Sequence, residues 1–105
     1  MAEWAAVGSA EGEDGEVRDT RVHGAYVVLA KAAGEWFALD DWCSHEECPL
    51  SDGWVEGAAI VCNCHGSQFD LRTGAALNGP ATEAVKTYPL RVVDGELQIE
   101  IEPAS

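Results

Sequence analysis

Two short stretches, Trp42-Cys43-Ser44-His45-Glu46-Glu47-Cys48-Pro49 and Val61-Cys62-Asn63-Cys64-His65-Gly66-Ser67, hold all four cysteines and two of the three histidines of the chain. As patterns they read C-x-H-x2-C and C-x-C-H-G-S, with sixteen residues between His45 and Cys62. Six soft or borderline ligands in two loops must be divided among chemical roles. Two disulfides are one division, but they leave His45 and His65 without a purpose, and disulfide scaffolds usually carry more cysteine and a secretory signal. Tetrahedral zinc on two cysteines and two histidines is a second. It leaves Cys48 and Cys64 idle, and C-x-H is tighter than the usual spacing of zinc loops. The third is a two-iron cluster with thiolates on one iron and imidazoles on the other. Each loop then gives one ligand to each iron, Cys43 and Cys62 to the first, His45 and His65 to the second. We favour this third division.

The paired spacings, Cys43-x-His45 and Cys62-x2-His65, resemble the Rieske [2Fe-2S] motif. The likeness continues through His65-Gly66-Ser67-Gln68-Phe69-Asp70-Leu71-Arg72-Thr73-Gly74, which is similar to the segment after the second ligand pair in bacterial Rieske ferredoxins. Gly79-Pro80-Ala81 resembles the proline-containing loop that covers the cluster in that family. The resemblance extends over most of residues 36 to 101. The resemblance implies a Rieske-type [2Fe-2S] cofactor on Cys43, His45, Cys62 and His65, with His45 and His65 at the tip as the electron exit. Cys48 and Cys64 depart from most such ferredoxins. They are similar to the pair that forms a disulfide between the cluster loops in cytochrome bc1-type Rieske proteins, which implies a Cys48–Cys64 disulfide. The alternative is two buried thiols, because a cytosolic compartment disfavours structural disulfides.

Two neutral imidazoles in place of two thiolates make an added electron less costly and raise the potential. By resemblance, Ser67 matches a serine that donates to a bridging sulfide in high-potential members. Phe69 stands where those members carry a tyrosine that donates a second such bond. Glu46 and Glu47 follow directly on His45, and at about 8 Å in water each opposes the added electron by ~0.5 kcal/mol, about 20 mV before salt screening. The expected potential therefore lies in the lower part of the family range, nearer about −150 than +300 mV.

The chain has 105 residues, one domain's worth. Six basic against nineteen acidic residues give a net charge of −13, the wrong sign for nucleic acid. An acidic surface suits an electron carrier that must find basic docking patches quickly, although it serves solubility equally well. No apolar run is long enough to cross a membrane, and the sequence opens without the pattern of a signal peptide, so a cytoplasmic carrier is expected.

Outside the two loops the pattern is β. Trp4 to Val7 reads as a first strand, and Glu11-Gly12-Glu13-Asp14-Gly15-Glu16 as the least structured loop. His23, beside Gly24, reads as an ordinary turn or surface residue. Ala25–Ala30 and Glu35–Leu39 read as strands about a turn at Ala33-Gly34. Leu50–Gly57 reads as a connector, Ala58–Val61 and Gln68–Leu71 as strands. Val85–Val93 reads as a single strand, followed by an Asp94-Gly95 hairpin turn and the alternating strand Leu97–Ile101. The expected fold is all-β, with a Rieske-type arrangement. An antiparallel sandwich or barrel from both ends of a single 1–105 domain would carry an inserted cluster-binding subdomain at about 41–74.

The leading functional expectation is a one-electron carrier, monomeric or weakly oligomeric. It resembles the ferredoxin that passes electrons from a flavin-containing NAD(P)H reductase to a terminal ring-hydroxylating oxygenase of aromatic catabolism. The chain is too short for the oxygenase's own catalytic domain, so no enzymatic activity is expected. The alternatives are a non-catalytic subunit of a larger redox complex, similar to the nitrite reductase small subunit, and an iron–sulfur assembly accessory.

Overall fold

The computed structural model describes residues 2–42, 48–64, 66–78 and 83–102. Cys43 to Glu47, His65 and Gly79 to Thr82 lie outside them. Among the described residues there is no α-helix, and the strands form three antiparallel sheets. The middle sheet joins β2 (Val17–Val22), β3 (Ala25–Ala32), β4 (Glu35–Asp40) and β9 (Thr87–Tyr88) in that order. One flanking sheet comes from the two ends of the chain, with β11 (Glu96–Ile101) between β1 (Glu3–Ser9) and β10 (Leu90–Val93). The other comes from mid-sequence: β5 (Trp54–Glu56), β6 (Ala59–Val61), β7 (Gln68–Asp70) and β8 (Ala76–Asn78), paired in chain order.

The middle sheet explains why Val27-Val28-Leu29-Ala30 is a continuous apolar run. A strand presents alternate residues to opposite faces, and here both faces are covered. Val28, Ala30, Ala32 and Leu39 pack with Ile60, Cys62, Phe69 and Leu71 of the mid-sequence sheet. Val27, Leu29, Trp36 and Ala38 pack with Leu97, Ile99 and Ile101 of the terminal sheet. The turn signals at Ala33-Gly34 and Asp94-Gly95 act as read, and His23-Gly24, read only as a turn or surface residue, makes a third hairpin. His23-Gly24, Ala33-Gly34 and Asp94-Gly95 each place two successive residues at positive φ, the backbone that matches strand twist in a two-residue turn.

The structure corrects the sequence reading in four places. Val85–Val93 is not one strand. Tyr88 pairs with Ala38 in the middle sheet and Leu90 pairs with Ile99 in the terminal sheet, and Pro89 marks the crossing because it has no N–H for either ladder. The Leu50–Gly57 connector contains a 3-10 turn at Leu50–Asp52 and strand β5. Strands β2 and β8 were not apparent. Val-Arg-Asp-Thr-Arg-Val lacks apolar alternation, and pairing of all six residues with β3 is what makes it a strand. Finally, the acidic loop before β2 is pinned to the fold. Arg18 donates to the Ser9 carbonyl at 2.6 Å and to that of Glu11, and its guanidinium lies 4.4 Å above the Trp36 ring. Trp36 Nε1 donates to the Ala10 carbonyl at 2.9 Å, Lys31 Nζ to that of Gly12 at 2.8 Å, and the Gly34 N–H to Asp14 Oδ1 at 2.9 Å.

Candidate metal centre

The second ligand loop is the turn of the β6–β7 hairpin. Val61 and Gln68 are the last strand pair, and beyond them the Cys62 N–H donates to the Ser67 carbonyl at 2.8 Å. The Gly66 N–H donates back to the Cys62 carbonyl at 3.0 Å, with Gly66 at φ 76°. Cys62 is thereby fixed at the end of a paired strand. It and Ser67 are both almost wholly buried, at 1 % exposure, while Cys64 lies at the exposed bend. Phe69 is two residues beyond Ser67 and fully buried, in the same apolar cluster as Cys62.

The first loop is closed at its stem. Trp42 and Pro49 form an isolated antiparallel bridge, and the Leu50 N–H donates to the Asp41 carbonyl. The side chain of Asp41 reaches across the stem to Ser51, accepting from its N–H at 2.7 Å and from its hydroxyl at 2.8 Å. Asp41 is 4 % exposed. Burial pushes its carboxyl above the usual range against the opposing pull of the Ser51 hydrogen bonds, and the charges of Asp19 and Asp52 push in the same direction as burial. Asp41 stands outside the residues that the sequence marks for the site. Its one signal is a carboxylate ahead of a loop that ends in Pro-Leu-Ser, which is too common to single out.

Two contacts draw the loops together. Cys48 and Cys64 form a disulfide, with Cα atoms 6.5 Å apart, as the bc1-type resemblance implied. Gly53, after the 3-10 turn, lies against the strand that leads into Cys62. A Cβ there would sit 1.8 Å from the Val61 carbonyl oxygen, so only glycine lets the connector pass so close. The sulfur atoms of Cys48, Cys62 and Cys64 all lie within 4.8 Å of one another.

Of the residues expected at the site, the structure thus brings together Cys48, Cys62, Cys64 and Ser67. Cys43, His45, His65 and Pro80 lie outside the described residues, as do Glu46 and Glu47. His23 is an exposed turn residue whose Nε2 lies 3.7 Å from a Glu3 carboxylate oxygen. What is described fits a cluster-binding site: a buried thiol on a rigid hairpin, a buried hydroxyl beside it, and a second loop crosslinked to the first.

Three antiparallel sheets and a crosslink between two segments whose sequence is rich in cysteine and histidine fit the class of small β proteins that hold an iron–sulfur cluster between loops. Residues 3–89 match the Rieske [2Fe-2S] domain, and the chain belongs to that family. Its cofactor is accordingly a Rieske-type [2Fe-2S] cluster. The chain is similar to the anthranilate 1,2-dioxygenase ferredoxin subunit of Burkholderia cepacia, at 35% identity over 102 residues, covering 96% of this chain and 94% of that protein. Among solved structures it is similar to the Sphingomonas yanoikuyae B1 ferredoxin, with TM-score 0.89, 30% identity, and coverage of 95% of this chain and 100% of the other. It is also similar to a chain in the complex of reduced oxygenase and oxidized ferredoxin in carbazole 1,9a-dioxygenase, with TM-score 0.85 and 28% identity over 90% of this chain and 99% of that one.

Proposed function

We propose that this chain is the ferredoxin component of a ring-hydroxylating oxygenase system. It would take single electrons from a flavin-containing NAD(P)H reductase and deliver them to a terminal oxygenase, with no catalysis of its own. The observation that carries this reading is the end-to-end likeness to a dioxygenase ferredoxin subunit in a chain that keeps all four ligand residue types at Rieske spacing. The likeness to a chain in an oxygenase–ferredoxin complex supports the oxygenase as the receiving partner.

In this reading Cys43 and Cys62 hold one iron and His45 and His65 the other, and the bound cluster supplies reversible one-electron transfer. The chain's own residues supply the rest. The β6–β7 hairpin holds Cys62 in place, so little reorganisation accompanies a change of charge. Ser67 stands beside it as a hydroxyl donor, and buried Phe69 brings no second donor. The Asp41–Ser51 pair and the disulfide hold the first loop against the second. Outside the loops, Trp42 is 43 % exposed, and Trp54 and Leu77 lie exposed on the strands that flank the ligand hairpin. Exposed apolar side chains on a chain of net charge −13 suit brief docking to a basic partner with an apolar centre.

Among the described residues no helix is long and apolar enough to cross a membrane, which is compatible with the cytoplasmic, monomeric or weakly oligomeric carrier we propose. We take residues 41–74 as the cluster-binding subdomain of one 1–105 domain. The test is a redox titration followed by electron paramagnetic resonance, then electron delivery assayed with a purified reductase and oxygenase pair. A silent oxidised state that gives a one-electron Rieske-type signal below about zero millivolts supports the reading. A signal only at clearly positive potential, or bound zinc with no signal, refutes it.

A further inference from the structure

The disulfide beside the ligand thiol has chemistry of its own. The sulfurs of Cys48, Cys62 and Cys64 lie within 4.8 Å of one another, and Cys48 and Cys64 are joined. Thiol–disulfide exchange needs only that a thiolate reach a disulfide sulfur, and Cys62 has both within a short movement. A metal-bound thiolate is committed to its metal, so the reaction is open to the chain that lacks its cluster.

We propose that in the cluster-free protein Cys62 attacks Sγ of Cys48 and expels Cys64. This gives a Cys48–Cys62 disulfide that takes a ligand position out of service. The inference rests on Cys62 being a cluster ligand. Atoms and electrons balance without an external oxidant: the Cys62 sulfur bonds to Cys48 as the Cys48–Cys64 bond breaks, and the proton of the buried Cys62 thiol passes to the departing Cys64 sulfur, so no thiolate is left in the apolar cluster.

Burial selects the sulfur attacked. Cys48 is 4 % exposed in an apolar cluster with Val28, Leu50 and Ile60, whereas Cys64 is exposed. Attack at Cys64 would leave a Cys48 thiolate in that apolar setting, and attack at Cys48 leaves a Cys64 thiolate in water. The product is favoured for the same reason, since it converts the buried Cys62 thiol to a disulfide and puts the released thiol where water reaches it. The pair that braces the loaded site thereby becomes a latch on the unloaded one, opened by a dithiol reductant before a new cluster is built.

The test is a linkage map of loaded and cluster-free protein. Cluster is removed with an iron chelator under argon, thiols are capped with N-ethylmaleimide, and unreduced digests are sequenced by tandem mass spectrometry. The expected cluster-free result is an unchanged mass before capping, loss of the Cys48–Cys64 link, a Cys48–Cys62 link, and the cap on Cys64. Loaded protein should keep Cys48–Cys64 with no cap on Cys64. Cluster-free protein that keeps Cys48–Cys64 and is capped on Cys62 overturns the proposal. A Cys62→Ser variant should hold Cys48–Cys64 intact without cluster, and a cap on Cys64 there would assign the attack to Cys43 and overturn it equally. If protein that carries its full cluster already holds Cys48–Cys62, the ligand assignment fails, a result distinct from the cluster-free map.

Discussion

Removing the crosslink with Cys64→Ser should affect the cluster-free protein far more than the loaded one. Cys64 is exposed, so serine at that position costs little packing, whereas Cys48 is buried in the core and is best left alone. The Cys48–Cys64 disulfide spans a sequence separation of 16 and the Cys48–Cys62 bond proposed for the cluster-free chain closes a loop about two residues shorter; Cys64→Ser removes the first and the source of the second, and the chain-entropy relation for a loop of either size gives about 3 kcal/mol at 25 °C. For a chain of 105 residues, with an unfolding entropy of about 2.1 cal/mol/K per residue, that is a fall in Tm of roughly 14 °C. In loaded protein the proposed ligands already tie the same two loops together, so most of this constraint is redundant and the cost should fall below about 1 kcal/mol. The assay is thermal unfolding by circular dichroism in both states under argon. Equal shifts with and without cluster would refute the shared-constraint argument, and a shift of only a few degrees in cluster-free protein would show that the disulfide does not act through loop closure.

Four further outcomes follow from the geometry. The Asp41 carboxyl is raised by burial, so its favourable contribution is complete below the unfolded value near 3.8 and is lost as pH rises through the folded value. Asp41→Asn should therefore match or exceed wild type in Tm at pH 7, and Asp41→Ala should fall about 1–3 kcal/mol below the asparagine variant because Ser51 loses its acceptor. A lower Tm for Asp41→Asn than for wild type at pH 7 would contradict the burial argument. Gly53→Ala should cost roughly 2 kcal/mol or more, since its Cβ would meet the Val61 carbonyl, and should lower bound iron measured per chain. Arg18→Ala removes the hydrogen bonds that hold the Ser9 and Glu11 carbonyls together with its stacking on Trp36; a loss of about 1–2 kcal/mol is expected in chemical denaturation. On the role proposed for Ser67 as a donor to the cluster, Ser67→Ala should lower the reduction potential by roughly 40–65 mV, the one-electron equivalent of a hydrogen bond of about 1–1.5 kcal/mol, as read by redox titration.

The chemistry of this protein was written locally and could be read locally. Two cysteine–histidine pairs at fixed spacings name a cluster whatever the chain does elsewhere, because ligand identity belongs to side chains and not to packing. The turns were legible for a similar reason. Asp94-Gly95 and Ala33-Gly34 each carry the glycine that enters positive φ freely, while Ala33 itself is held there by the strands it joins.

Other features belong to no residue taken alone. Val-Arg-Asp-Thr-Arg-Val is a strand because β3 lies alongside it, and Tyr88 and Leu90 enter different sheets because two ladders end on either side of Pro89. Asp41 carries no mark in the sequence that separates it from Asp40. Closure of the loop stem buries it on Ser51 and turns an ordinary carboxylate into a clasp. The placing of three sulfurs within 4.8 Å likewise needed the sheets in position, since it joins the end of one loop to the hairpin of another. Sequence alone named the candidate ligands and the turns at Ala33-Gly34 and Asp94-Gly95. Tertiary structure decided which groups lose water and which sulfurs meet, because burial and proximity are made by contacts between segments far apart in the chain.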